Sequence, residues 1–266
     1  LRPIAGFLQD DDVSEIMVNP GGRVFVERHG AIESVDRVHL TERNLQVAVR
    51  NIARLLGDDI SEEQPILDAR LPDGSRVAAV LPPCSVGETT LTILKFQSRF
   101  FTVDDLVRCG TVTAAVVDAV RTALAARQTI LISGGTSTGK TTLLNALATL
   151  LPATDRIVLI EDTAELRVEH PNVVRFEARR AQRDVPAVTI RELLKATLRH
   201  RPDRIIVGEV RGGEAYDLLQ ALNTGHAGTL STIHANSAQQ ALARLTSCVL
   251  QGGVDLPYQA IRHQIA

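Results

Sequence analysis

The chain changes rhythm near Thr113. Before it, residues 1–98 carry short stretches in which apolar and polar positions alternate, the period of a strand with one buried face. "VSEIMVNPGGRVFVERHGAIESV" predicts two or three strands, with turns at Asn19-Pro20-Gly21-Gly22 and His29-Gly30. Thr41 stands where a helix cap belongs. Leu45, Ala48, Val49, Ile52 and Leu56 then share one helical face, and Gly57 ends the run. "PILDARLPDGSRVAAVLPP" predicts a hairpin turning at Pro72-Asp73-Gly74, and "TTLTILKF" a further strand. The expected unit is an antiparallel sheet backed by a helix, followed by a connector over 99–112.

From Thr113 the strands become nearly all apolar. "TILIS", "RIVLIED", "NVVRFEA", "RIIVGE" and "TLSTIH" alternate with helical segments at 113–127, "KTTLLNALATLL", 189–200, "GEAYDLLQALN" and "SAQQALARLTSCVLQ". Apolar strands separated by helices imply a parallel sheet covered on both faces. The fold class is therefore α/β, with an N-terminal α+β domain over 1–98, a linker over 99–112 and a mostly parallel domain over 113–266.

Composition narrows the function classes. With 44% hydrophobic and 23% charged residues the chain has the means to build a core, which excludes disordered and low-complexity readings. The net charge of −2 gives no global field for holding nucleic acid, and aromatic residues are scarce at 3%, so no direct sequence-specific nucleic acid binding is expected. The most apolar run, Thr113 to Ala126, is broken by Asp118 and Arg121 and falls short of the roughly 18 residues a membrane helix needs. A soluble, cytoplasmic protein is expected. The three cysteines, Cys84, Cys109 and Cys248, fit neither a disulfide framework nor a zinc pattern and are read as small buried apolar residues. The chain opens on Leu1 and stops at Ala266 within a helical pattern (Tyr258, Ile261, Ile265), as expected of a piece trimmed at both ends.

Only Lys95, Lys140 and Lys195 are lysines among 29 basic residues, and Lys140 lies in the strongest motif. "SGGTSTGKTT" matches G-x-x-x-x-G-K-[ST] through Gly134, Gly139, Lys140 and Thr141. Glycines let such a loop wrap around phosphate with its amides inward. The lysine reaches the β- and γ-phosphates and the following hydroxyl takes Mg²⁺. A helix starting at Lys140 would aim its positive end at the anion. A chance Gly/Thr-rich turn is the bland alternative, but an apolar strand precedes this loop and a helical pattern follows it. Gly134, Gly135, Thr136, Ser137, Thr138, Gly139, Lys140, Thr141 and Thr142 are the candidate nucleotide-binding residues, with ATP and Mg²⁺ as cofactors.

Phosphoryl transfer also needs acids to hold the metal and orient water. Glu161-Asp162 follows "RIVLI", with Glu165 nearby, and Glu209 follows "RIIVG", each at the end of an apolar strand. Gly208 occupies the usual Walker B aspartate position, so the acid comes one place late. "GHAGTLSTIHAN" brings His226 and His234, which are not at a metal-pair spacing. Either could be an ordinary core or surface histidine. His234, at a strand end, could instead sense the γ-phosphate side.

These motifs resemble the type II/type IV secretion traffic ATPases. The resemblance is carried by the P-loop, the Asp box "IEDTAEL", the Walker B segment "RPDRIIVGEVRGGEA" and the His box "TGHAGTLSTIHAN", in that order. "SEIMVN", "RLPDGSRVAAVLPP" and "LTILKF" are similar to the family's N-terminal domain. The branch is the conjugal-transfer (TrbB-like), type IV secretion and Tad-pilus one, without the four-cysteine zinc module of other branches. The resemblance implies a RecA-like ATPase domain in a homohexameric ring, cytoplasmic and peripheral to the inner membrane. Partners would be the inner-membrane and coupling components of a secretion, conjugation or pilus machine. ATP would bind between the two domains and drive their relative motion. A scaffold switched by nucleotide, with little turnover, and a nucleic-acid-translocating ATPase are the alternatives. By motif match Lys140, Glu161, Glu209, His234 and Arg76 are the catalytic set. Glu209 would stand near Mg²⁺ with Thr141, Glu161 would be the base, and Arg76 would reach the nucleotide. Two residues depart from the pattern. Ser137 replaces a glycine, and Leu94 replaces the arginine of "LTIRKF", with Lys95 and Arg99 as possible substitutes.

Overall fold

The structure is a computed structural model that describes residues 2–96, 101–136, 138–179, 181 and 185–265. The chain forms two compact units, Leu1–Arg99 and Phe100–Ala266. Ser137 and Arg99 lie outside the described residues.

The first unit opens with a helical turn and α1 (Ala5–Gln9). Strands β1 (Val13–Asn19), β2 (Arg23–Arg28) and β3 (Ala31–His39) follow, then α2 (Glu42–Leu55). β4 (Ile66–Arg70), β5 (Arg76–Val80) and β6 (Thr90–Leu94) complete it. All six strands join one sheet in the order β3-β2-β1-β6-β5-β4 through antiparallel pairs. Register builds the core directly. Val26, Ile16, Ile93 and Val77 face one another across four strands, and Val24, Val18, Leu91, Ala79 and Leu67 form the next row across five. Leu45, Val49 and Ile52 of α2 pack on these rows. Thr41 caps α2 by accepting from the Asn44 amide, and Gly57 leaves it at φ +73. A fully buried Val, Leu or Ile contributes about 1.5–3 kcal/mol, so two such rows suffice to fix which face is inside. Lys95 does not stand free to replace an arginine at position 94: its Nζ donates to the carbonyls of Phe7 (3.2 Å) and Asp10 (2.5 Å).

In the second unit, α3 (Val103–Arg108) forms within the stretch read as a connector. Thr102 and Asp105 make a reciprocal capping box, and Val103 and Leu106 are buried beside Val117 and Ala146. α4 (Ala114–Ala125), β7 (Ile130–Gly134), α5 (Lys140–Ala148), β8 (Ile157–Glu161) and β9 (Val173–Glu177) come next. α6 (Ile190–Thr197), β10 (Arg204–Val210), α7 (Glu214–Asn223), β11 (Leu230–His234), α8 (Ala238–Gln251) and α9 (Tyr258–Ile265) end the chain. The sheet order is β7-β11-β10-β8-β9, with every pair parallel. Ile157, Val158, Leu159 and Ile160 are each fully buried, which requires cover on both faces. α4 and α5 supply one face through Leu124, Leu144 and Leu147. α6, α7, α8 and α9 supply the other through Leu194, Leu218, Leu245 and Ile261.

The cysteine expectation needs correction. Cys248 is buried, but Cys84 and Cys109 are exposed, because both sit in turns and not on an inward face. Among the described residues no helix is long and apolar enough to cross a membrane.

Candidate functional site: a phosphate loop and three strand ends

Parallel strands place all their C-terminal ends on one edge, and the sequence-chosen residues of the second unit gather there. β7 ends at Gly134, in register with His234, the last residue of β11. Glu209 is the penultimate residue of β10, and Glu161 is the last residue of β8. The acids thus belong to the strands themselves. Arg76 lies in the first unit, on β5, in register with Leu94 of β6 and 3.9 Å from Asp68.

The candidate phosphate loop runs between Gly134 and Gly139, with Ser137 outside the described residues. Gly139 adopts φ +86 at the start of α5, a conformation that favours glycine. A Cβ on Gly134 would come within 2.6 Å of Thr138 Oγ1, so a side chain there would have to displace that hydroxyl. Thr138 Oγ1 donates to the Gly135 carbonyl at 2.9 Å and Lys140 Nζ to the same oxygen at 2.6 Å. Lys140, Thr141 and Thr142 form the first turn of α5, half-buried, while Gly135, Thr136, Thr138 and Gly139 are exposed. Glycines without side chains at a helix start, with a lysine alongside, fit a polyphosphate.

The two glutamates differ in kind. Glu161 is 3% exposed. Its Oε1 accepts from the amides of Glu165 (2.8 Å) and Leu166 (2.7 Å), and Arg175 Nη2 lies 3.5 Å from Oε2. The neighbouring amides are held likewise: Ala164 donates to Glu177 Oε1 at 3.0 Å and Arg167 to Asn145 Oδ1 at 2.8 Å. Four consecutive amides of the Asp-box loop are therefore accepted by side chains. Burial pushes the Glu161 carboxyl above the usual range, against the two amides and Arg175, which pull it down.

Glu209 owes its position to a β-bulge. Val207 pairs with Ser231 and Val210 with Ile233, three steps on β10 against two on β11. Ile205, Val207 and Val210 all enter the same core, so the bulge breaks the alternation and turns Glu209 away from that core. The bulge's carbonyls are taken up by hydroxyls: Ser231 Oγ donates to Val207 O at 2.8 Å and Thr232 Oγ1 to Gly208 O at 2.7 Å. Arg211 Nε donates to Glu209 Oε2. His234 Nε2 stands 2.8 Å from the buried Glu209 Oε1, a close polar contact without hydrogen-bond alignment.

The glycine in the usual Walker B aspartate position is closely approached by Glu161. Gly208 lies beside Glu161, where an added Cβ would be 3.1 Å from Glu161 Cγ. Sequence reasoning did not single out Arg175, Arg211, Ser231 or Thr232. The roles of Arg211, Ser231 and Thr232 depend on a register shift that leaves no mark in the hydrophobic pattern, and that of Arg175 on the pairing of β9 with β8.

Mg²⁺ keeps several waters and binds through one or two carboxylates plus phosphate oxygens. The Glu209 carboxylate and the hydroxyl of Thr141 at the start of the P-loop helix are the residues of this edge that suit it. Among the described residues no cluster of three or more His, Cys, Asp or Glu could hold a metal, and a Mg²⁺–nucleotide site needs none.

Comparison with known proteins agrees with these motifs. Residues 1–256 match the family described as "Type II/IV secretion system protein". The conjugal transfer protein TrbB of Rhizobium radiobacter is 41% identical over 260 residues, covering 96% of this chain and 77% of that one. The type IV secretion system protein PtlH of Bordetella pertussis is 37% identical over 287 residues, covering 98% and 85%. Among solved structures, the pilus retraction motor PilT with bound ADP superposes with a TM-score of 0.68 at 22% identity, over 98% of this chain and 74% of that one, a likeness of fold. With its family match running nearly end to end, and relatives alike over most of their own length, the chain belongs to the type II/IV secretion system protein family.

Proposed function

We propose that this chain is a Mg²⁺-dependent ATPase that energises secretion, conjugal transfer or pilus assembly, working as a homohexameric ring on the cytoplasmic side of the inner membrane. The observation that carries the reading is the gathering of the P-loop, Glu209, His234 and Glu161 on one sheet edge, with Gly134 and His234 in register. In this reading the amides of the 134–139 loop and the start of α5 hold the phosphates, and Lys140 neutralises the β- and γ-groups. Thr141 and Glu209 would hold the metal, directly or through water. Bound Mg²⁺ would offset charge on the transferred phosphoryl group.

The geometry favours a division of labour between the acids that differs from the one expected from motif order. Glu161 Oε1 is taken up by two amides of the Asp-box loop, with Arg175 Nη2 3.5 Å from Oε2. We assign Glu161 to anchoring the Asp-box loop. Glu209 Oε1 accepts no aligned hydrogen bond and has His234 Nε2 at 2.8 Å, and Glu209 takes the task of orienting the attacking water. Arg76 stays in the proposal on its family position, as a cation acting on the nucleotide.

Phosphate release by the full chain tests this. Lys140→Ala should abolish hydrolysis with the circular dichroism spectrum unchanged. Glu209→Gln should still bind ATP but turn over at least ~10²-fold slower. Wild-type turnover in either folded variant would sink the assignment. Mass measurement in solution with Mg-ATP should give six subunits, and a strictly monomeric, fully active protein would overturn the ring.

A further inference from the structure

We propose that Arg211 is the positioning residue of this site: it holds one oxygen of Glu209 and so leaves the other for metal-bound water and phosphate. The inference rests on the reading of Glu209 given above.

Three observations carry it. First, the turn that bears Arg211 is fixed before its side chain acts. The Arg211 amide donates to Glu214 Oε1 at 2.6 Å and the Gly212 amide to the same oxygen at 2.8 Å. Gly213 presses on Gly252 so closely that a Cβ would lie 2.7 Å from the Gly252 Cα. Second, the bulge buries Val210, the last residue of β10, and Arg211, just beyond it, brings Nε onto Glu209 Oε2. Third, Arg211 Nη1 lies 3.6 Å from Asp162 Oδ2. One guanidinium therefore spans the ends of β10 and β8, where Glu161, Asp162 and Glu209 crowd an edge that must also accept a polyphosphate.

A half-exposed ion pair contributes little to stability, about 0–1 kcal/mol. The value of this one lies in orientation. With Oε2 held by Arg211 Nε, and the same guanidinium turned toward Asp162, rotation of the Glu209 carboxylate is restricted. Groups that orient a metal-holding or reacting carboxylate typically change affinity or activity 10–100-fold when lost.

The test uses the full chain, with the fluorescent nucleotide mant-ATP titrated with and without Mg²⁺, alongside turnover. Arg211→Gln should lower turnover about tenfold or more. It should also remove most of the Mg²⁺-dependent gain in mant-ATP affinity, leaving Mg²⁺-free affinity unchanged. Arg211→Lys should recover part of both. Adding Arg211→Gln to Glu209→Gln should change the Mg²⁺-dependent gain no further, because the arginine acts through that carboxylate; a merely structural loss would add. Wild-type turnover and Mg²⁺ response in Arg211→Gln, or losses that add to those of Glu209→Gln, overturn the proposal while Glu209 keeps its role. A Glu209→Gln protein with wild-type turnover and Mg²⁺ response overturns the role of Glu209 and this inference with it.

Discussion

Two neighbouring residues, Glu161 and Gly208, carry opposite constraints. Glu161 is a buried acid whose carboxyl is pushed upward by desolvation. An acid with a raised folded pKa binds its proton more tightly folded than unfolded. Its ionisation therefore costs stability above that pKa, and the cost fades as pH falls through it toward the unfolded value. Glu161→Gln cannot ionise and still offers an oxygen to the amides of Glu165 and Leu166. Its melting temperature should equal or exceed that of the wild type at pH 8, with the difference narrowing toward pH 5, and its turnover should suffer less than that of Glu209→Gln. A variant that melts well below the wild type at pH 8, or loses as much turnover as Glu209→Gln, would reject the anchoring role. Gly208 makes the complementary case. Gly208→Asp would restore the usual Walker B acid on paper. In this chain it sets a side chain 3.1 Å from Glu161 Cγ and one carboxyl beside another. It should cost about 1–3 kcal/mol in denaturant unfolding, more than Gly208→Ala, and should not raise activity. An unchanged unfolding midpoint would show that the pocket beside Glu161 has room to spare.

Among the elements, β10 and β11 decide the site, and they are fixed at both ends. At the C-terminal end the bulge and the Ser231 and Thr232 hydroxyls aim Glu209. At the N-terminal end Arg204, 2% exposed, pairs with Asp155 at 2.8 Å and donates to the Leu124 carbonyl at 2.9 Å. Gly228, at φ +88, lies against that guanidinium, and a Cβ there would be 2.3 Å from Nη1. Gly228→Ala must either strain the backbone or push the arginine off Asp155. Disrupting a buried ion pair costs about 3–5 kcal/mol, and the unfolding midpoint should fall on that scale. Because the loop leads directly into β11, turnover should fall with it through His234. Wild-type stability would show that Arg204 has a second place to go.

At the scale of the whole molecule, the proposed role of Arg76 gives the first unit a share in catalysis. Arg76 and Leu94 are cross-strand partners on β5 and β6, so a side chain at 94 stands beside that at 76 on the same face. If Arg76 acts on the nucleotide, Arg76→Ala should cut turnover strongly while leaving nucleotide binding by the second unit in place. Leu94→Arg in that background should restore part of the rate, because it returns a guanidinium to the same patch of sheet. Undiminished turnover in Arg76→Ala, measured as phosphate release, would remove the residue from the mechanism.

Much of this was legible in the chain itself. Alternating and all-apolar stretches give period directly, so the eleven strands among the described residues fall on the stretches read as strands, where the first stretch allowed two or three and holds three. The helices that pack an apolar stripe against them fall there too. The phosphate loop was legible because its chemistry is local: glycines, a lysine and a threonine within ten residues, between strand and helix. α3 escaped because six residues carry too little periodicity to stand out, and its capping box at Thr102 and Asp105 was its one signal. What the sequence could not decide was everything that depends on register. One extra residue in β10 inverts which side chains face the core, gives Val210 to it and Glu209 to the sheet edge, and brings Arg211 onto Glu209. A bulge is set by hydrogen bonds between strands some twenty residues apart. Only the folded sheet, where Ser231 and Thr232 lie beside Val207 and Gly208, determines it.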